Sequence, residues 1–98
     1  MPRFGHDPAG AALNLAKHGV SFDEARRVWD DPLAVVAYDR FEGGEHRWHA
    51  IGRVGPMPLV VTHAYPDEDD PNCVRLIGAR RATRPERRRH EEAHDPDA

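Results

Sequence analysis

The stretch from Leu33 to Ala79 is cut into short apolar runs by connectors too brief for anything but a reversal of the chain. Leu33–Tyr38 lies between Pro32 and the Asp-Arg-Phe-Glu-Gly-Gly turn of residues 39–44. His46–Val54 has the β-branched and aromatic content of a pairing strand, and Gly55–Pro58 reads as a turn into a third strand, Leu59–Tyr65. An acidic loop, Pro66–Asn72, leads to a fourth strand at Cys73–Ala79. A parallel pairing needs a crossover of about a dozen residues or more, so these four runs are expected to form an antiparallel meander.

Helices flank the meander. Asp7 is a capping residue, Pro8 suits the first helical position, and His18-Gly19 supplies a basic last turn and a left-handed stop. Ala12, Leu13, Ala16 and Lys17 share one face of this first helix. Ser21-Phe-Asp-Glu24 is a capping box for a second helix, with Phe22, Ala25, Val28 and Trp29 at helical spacing and Asp31-Pro32 as its end. A second capping box, Thr83-Arg-Pro-Glu86, opens a C-terminal helix running to about residue 92, followed by a polar tail, 93–98, expected to fray. The order is therefore α-α-β-β-β-β-α, an α+β fold in a single domain over 1–92. Ninety-eight residues leave no room for a second core.

Several function classes fall away at this point. No apolar run approaches the ~18 residues of a membrane span, and the N-terminus lacks a secretory stretch, so a cytoplasmic protein without membrane contact is expected. One cysteine, Cys73, excludes an internal disulfide and a cysteine-based zinc knuckle. Ser21, the only serine, is committed to a cap, which removes serine nucleophile chemistry. The net charge of −3 conceals a basic block: residues 75–90 hold seven arginines against one acid, Glu86. Such a block suits a phosphate backbone or an acidic partner, although a solvated helix face reads the same way.

His90-Glu-Glu-Ala-His94 matches the zinc-protease pattern in form, but no third ligand follows it, and no metal is expected. His46 and His49 stand three apart on a strand and so point to opposite faces. Alternation places Arg47, His49, Ile51 and Arg53 together on one face, which is either solvent surface or a phosphate-facing surface. His63 and Arg75 sit inside apolar strands, where a polar group must be satisfied or functional.

Three blocks carry a resemblance to a known family. Lys17-His-Gly-Val-Ser-Phe-Asp-Glu-Ala25 with Asp31-Pro-Leu33, then Glu45-His-Arg-Trp-His-Ala-Ile-Gly-Arg53, then Arg75-Leu-Ile-Gly-Ala-Arg-Arg-Ala-Thr-Arg84 with Glu86-Arg-Arg88, resemble in order and spacing the BrnT toxins. The resemblance implies a RelE-like fold and a ribonuclease toxin of a type II toxin–antitoxin pair that arrests growth by inhibiting translation. It also implies a BrnA-type ribbon-helix-helix antitoxin, operator DNA bound through the complex with autoregulation of the operon, and a toxin dimer within a heterotetramer. Metal-independent RNA cleavage uses the 2′-hydroxyl as nucleophile and needs no cofactor. On that reading Arg53, Arg75 and Arg80 are expected to converge on one phosphate, and proton transfer falls to His49, His63 or Glu45. Lys17, His18, Arg47, Arg81 and Arg84 are the expected contacts to the rest of the RNA. The alternative is a non-catalytic or degenerate module that only binds an antitoxin–DNA complex.

Overall fold

The computed structural model describes residues 2–93. Its elements are β1 (Arg3–His6), α1 (Pro8–His18), α2 (Phe22–Ala25), a 3-10 turn (Arg26–Asp30), β2 (Val35–Glu42), β3 (Glu45–Val54), β4 (Met57–Ala64), β5 (Cys73–Arg81) and α3 (Arg84–Glu92). The architecture is α+β, but the sheet has five strands, ordered β1-β5-β4-β3-β2, rather than four. The meander β2–β5 is antiparallel as expected. The correction is β1, which pairs with β5 in parallel and makes the sheet mixed. Arg-Phe-Gly-His is too short to show a strand period, and its partner lies seventy residues away, so nothing local announces it.

The reversals are tighter than the sequence suggests. Gly43 and Gly44 both adopt positive φ, 61° and 79°, so two residues close the first hairpin and β2 runs on to Glu42. The next hairpin turns through Gly55 and Pro56, and β4 starts at Met57. β5 continues two residues beyond Ala79 to Arg81. The second helix closes its capping box as expected, then tightens into the 3-10 turn before Asp31.

One face of the sheet carries the main core. Val20, Phe22, Ala25 and Val28 pack there against Ala50, Val54, Leu59, Val61, Val74 and Leu76. Gly52 belongs to this face, and a Cβ at that position would stand 2.9 Å from Val28 Cγ1 and 3.1 Å from Asp31 Oδ2, so the helical layer can approach only a glycine. On the opposite face Ile51 and Val60 are buried outside that cluster, beside α3, which packs on β3.

The α1 face that Ala12, Leu13, Ala16 and Lys17 share turns to solvent. Leu13 is 72% exposed and Ala12, Ala16 and Lys17 are exposed with it, whereas Asn14 is buried. The rotation is set by hydrogen bonds. Asn14 Nδ2 donates to the carbonyls of Val20 at 3.0 Å and Ala79 at 2.9 Å, while Oδ1 accepts the Ala79 amide at 3.0 Å. β1 pairs only with Cys73–Leu76, so the side-chain amide of Asn14 continues the β5 edge where β1 has run out. Asn14→Ala leaves three backbone groups without partners. Urea denaturation is expected to show a loss of about 3 kcal/mol, and an unchanged midpoint would contradict this account.

Candidate functional site

Alternation along β3 places Glu45, Arg47, His49, Ile51 and Arg53 on the α3 side of the sheet, and the pairing carries that face across its neighbours. His49 lies opposite Ala37 on β2 and Thr62 on β4, and Thr62 in turn lies opposite Gly78. Arg80 is opposite Val60 on the same face. A register shift at Asp39, between Tyr38 and Arg40, interrupts β2, and a second near Ile77 interrupts β5. Bulges of this kind re-aim side chains. Here the first brings Asp39 Oδ2 to 3.2 Å from His49 Nε2, both side chains about three-quarters buried.

Arg80 is held from the other direction. Its two terminal nitrogens grip Glu86 of α3 at 2.7 and 2.8 Å, a fork-to-fork pair. That bond to Arg80 holds the Glu86 carboxyl at about 2 against its partial burial, with help from the Thr83 amide and hydroxyl. Arg80 is correspondingly raised, first by Glu86, and also by the field of Asp39. Asp39 thus contacts His49 directly and reaches Arg80 through its field, on the same face of the sheet. Glu86 does double duty, since the same carboxylate closes the α3 capping box with Thr83.

The three arginines expected to meet at one phosphate do not meet. Arg75 pairs with Ala64 at one end of the sheet and Arg53 with Pro58 at the other. In the β3 register these positions correspond to residues 47 and 53, about 20 Å apart at ~3.3 Å per residue. They mark a track rather than a focus, with His49 and Arg80 between its ends. Arg53 is anchored through its backbone, which donates to Asp31 Oδ2 at 2.9 Å, while its guanidinium reaches Glu91 at 3.6 Å. Asp31 also contacts His90 Nε2 at 3.2 Å. Burial opposes the Asp31 carboxylate, but the Arg53 and Leu33 amides and His90 outweigh it and hold its pKa low. His90 is therefore a buried tie between α3 and the β3 edge; His94 lies outside the described residues. Among the described residues no three His, Cys, Asp or Glu side chains gather as a metal-ligand set.

Glu45 and Arg75 pair with each other at the far end of the track. Arg47 joins them: its Nη1 donates to Glu42 at 3.1 Å, and its buried Nε, 3.9 Å from Glu45, has no hydrogen-bond partner. His63 is fully buried on the helical face, edge-on to Trp29 at 4.9 Å and 3.1 Å from the Tyr65 hydroxyl. In this position it packs the core and lies out of reach of a substrate on the His49 face. Lys17 and His18 are exposed on the last turn of α1, which packs beside β5, away from β2 and β3. Arg81 and Arg84 are exposed where β5 passes into α3. Sequence reasoning missed Asp39 and gave Glu86 only a capping role. A carboxylate at the first position of an expected turn carries no signal of a bulge.

An α+β domain with a histidine–carboxylate pair on the same sheet face as a forked arginine has the groups of a small phosphodiester-cleaving protein. Residues 6–86 match the family model described as "Ribonuclease toxin, BrnT, of type II toxin-antitoxin system", and the chain belongs to that family. It is therefore a type II ribonuclease toxin whose partner is a protein antitoxin. The search of curated proteins returned no match. No helix among the described residues is long and apolar enough to cross a membrane.

Burial pushes His63 down from 6.5 to about 4, against the opposing bond to the Val61 carbonyl and with a smaller contribution from the charge of His49. The fold therefore prefers neutral His63. Its contribution is complete above pH 6.5 and is lost as the pH falls through about 4. Stability measured across that window should fall on the order of 3 kcal/mol more in the wild type than in His63→Phe; parallel curves would contradict the assignment.

Proposed function

We propose that the chain is a RelE-like endoribonuclease that cleaves RNA without a metal, through attack of the 2′-hydroxyl on the adjoining phosphorus. The observation that carries this reading is the Asp39–His49 pair set beside Arg80. With Nε2 of His49 turned to the carboxylate, Nδ1 is the nitrogen left to take a proton. It accepts the 2′-hydroxyl proton as the O2′–P bond forms, and the P–O5′ bond breaks with water supplying the proton to the leaving oxygen. Arg80 exchanges Glu86 for the phosphate and stabilises the charge that grows there; a guanidinium whose proton affinity Glu86 raises further is no base. Arg53 and Arg47 hold flanking phosphates along the track, and the exposed Arg81 and Arg84 extend the basic surface past the end of β5. Lys17 and His18, on the other side of β5, are left for more distant RNA or for the antitoxin.

The remaining biology follows the family. A ribbon-helix-helix antitoxin of the BrnA type neutralises the toxin, the complex binds operator DNA and represses its own operon, and a toxin dimer forms within a heterotetramer. Cleavage in the cytoplasm inhibits translation and arrests growth.

The test is antitoxin-free protein with end-labelled RNA in EDTA. The wild type should release 2′,3′-cyclic phosphate ends, and His49→Ala and Arg80→Ala should each lower the rate by about 100-fold or more. Arg53→Ala should cost about tenfold, through binding. Full activity in His49→Ala would remove the mechanism. A folded, antitoxin-binding wild type that never cuts, with or without ribosomes, would leave the docking reading in its place.

A further inference from the structure

A cavity of about 630 Å³ opens at the end of the sheet farthest from Arg53, between the β2–β3 hairpin and the loop after β4. Its size is that of a small-molecule site. Phe41, His46, Trp48 and Tyr65 supply aromatic walls, and Glu45 and Arg75 stand together in the lining. The rings are fixed rather than loose. Tyr38 hydroxyl lies 2.9 Å from His46 Nδ1, and the Tyr65 hydroxyl is tied to His63. Phe41 meets His46 at 5.0 Å, and Trp48 meets Tyr38 at 5.1 Å and Tyr65 at 6.0 Å, all edge-to-face. Each edge-to-face contact covers one face of only one of its two rings, so a flat guest has the remaining faces to stack on.

The charge of the cavity says which part of a nucleotide it suits. Glu45 and Glu68 oppose Arg75, so the formally charged lining is net negative, which disfavours a phosphate and favours a ring bearing N–H donors. Guanine alone among the RNA bases presents two adjacent donors, N1–H and the 2-amino group, next to an acceptor, O6. A carboxylate beside a guanidinium is the complement of that edge. Adenine, cytosine and uracil each offer only one donor beside an acceptor, so the second carboxylate oxygen is left without a donor, which is where discrimination of this sort arises.

We propose that this cleft binds one unstacked guanine of the RNA, stacked on Trp48, whose plane Tyr65 crosses at 63°, and read by Glu45 with Arg75. Glu45 is four residues from His49 on the same strand face, about 13 Å, so the guanine belongs to a nucleotide near the cleaved bond rather than to the reacting one. The proposal rests on the reading of the chain as an RNA-cleaving enzyme, and it gives Glu45 and Arg75 a recognition role in place of a catalytic one.

The test is calorimetric titration of the full chain with GMP, IMP, AMP, CMP and UMP, with cleavage-site mapping on the same preparation. GMP should bind at least about tenfold tighter than the others, IMP included, because IMP lacks the 2-amino donor. Glu45→Gln should lose that preference while AMP binding changes less than about twofold. Phe41→Ala, at an exposed ring, keeps the fold and should weaken all five nucleotides alike. Equal affinities, or no binding while RNA is still cut, would overturn the guanine site and leave the ribonuclease reading standing. Occlusion of Trp48 by the antitoxin in a protein that binds no nucleotide would assign the cleft to the protein partner instead. GMP binding by a chain that never cuts RNA would support the cleft and overturn the nuclease.

Discussion

The side-chain amide of Asn14 acts as a missing peptide unit. An edge strand leaves its N–H and C=O groups open, and β1 covers that edge of β5 only as far as Leu76. Asn14 takes over at Ala79, satisfying both its amide and its carbonyl, and ties the Val20 carbonyl into the same knot. Everything on the helical face depends on that placement, because it fixes the rotation of α1 and the point where the chain turns at Gly19 towards α2. Val20 and Phe22 enter the core from there. Asp31 does the corresponding work at the other side, accepting the Arg53 amide where β2 no longer covers β3. A polar side chain at each incomplete edge lets a five-stranded sheet of unequal strands close without orphaned backbone.

The α3 face has a different logic. Its basic side chains come with acids: His49 with Asp39, Arg80 with Glu86, Arg75 with Glu45, Arg47 with Glu42, and Arg53 with Glu91. A run of bare arginines would repel itself and destabilise the sheet; paired, the same residues hold hairpin and helix in place. On the proposed reading, RNA binding is an exchange of carboxylate for phosphate rather than a filling of empty sites. The exposed pairs exchange at little cost, since solvent already screens them. The Arg80–Glu86 fork, more buried and bidentate, is the exchange that would matter on that reading, and it links the end of β5 to the start of α3.

Much of the fold was legible in the sequence because its punctuation is local. Both capping boxes, the Asp7 and Gly19 ends of α1, and the order of the meander are written in adjacent residues. The site was legible in part: alternation along β3 put Arg47, His49 and Arg53 on one face, and the motif blocks pointed to Arg80. The errors share a cause. The parallel partner of β1, the bulge at Asp39 and the inward turn of Asn14 depend on residues between ten and seventy positions away, beyond the reach of a local pattern.

The amino-acid sequence by itself determined the types and order of the elements from α1 to α3, the composition of the β3 faces and the family to which the chain belongs, since propensity, capping and short turns act within a few residues. Only the tertiary structure decided which groups meet. It sent His63 into the core, where burial keeps it neutral, and left His49 on the open face beside Asp39. It spread Arg53, Arg80 and Arg75 along a track instead of around a point. Those outcomes follow from strand register and bulges, which shift whole rows of side chains at once and are fixed by the packing of the complete sheet.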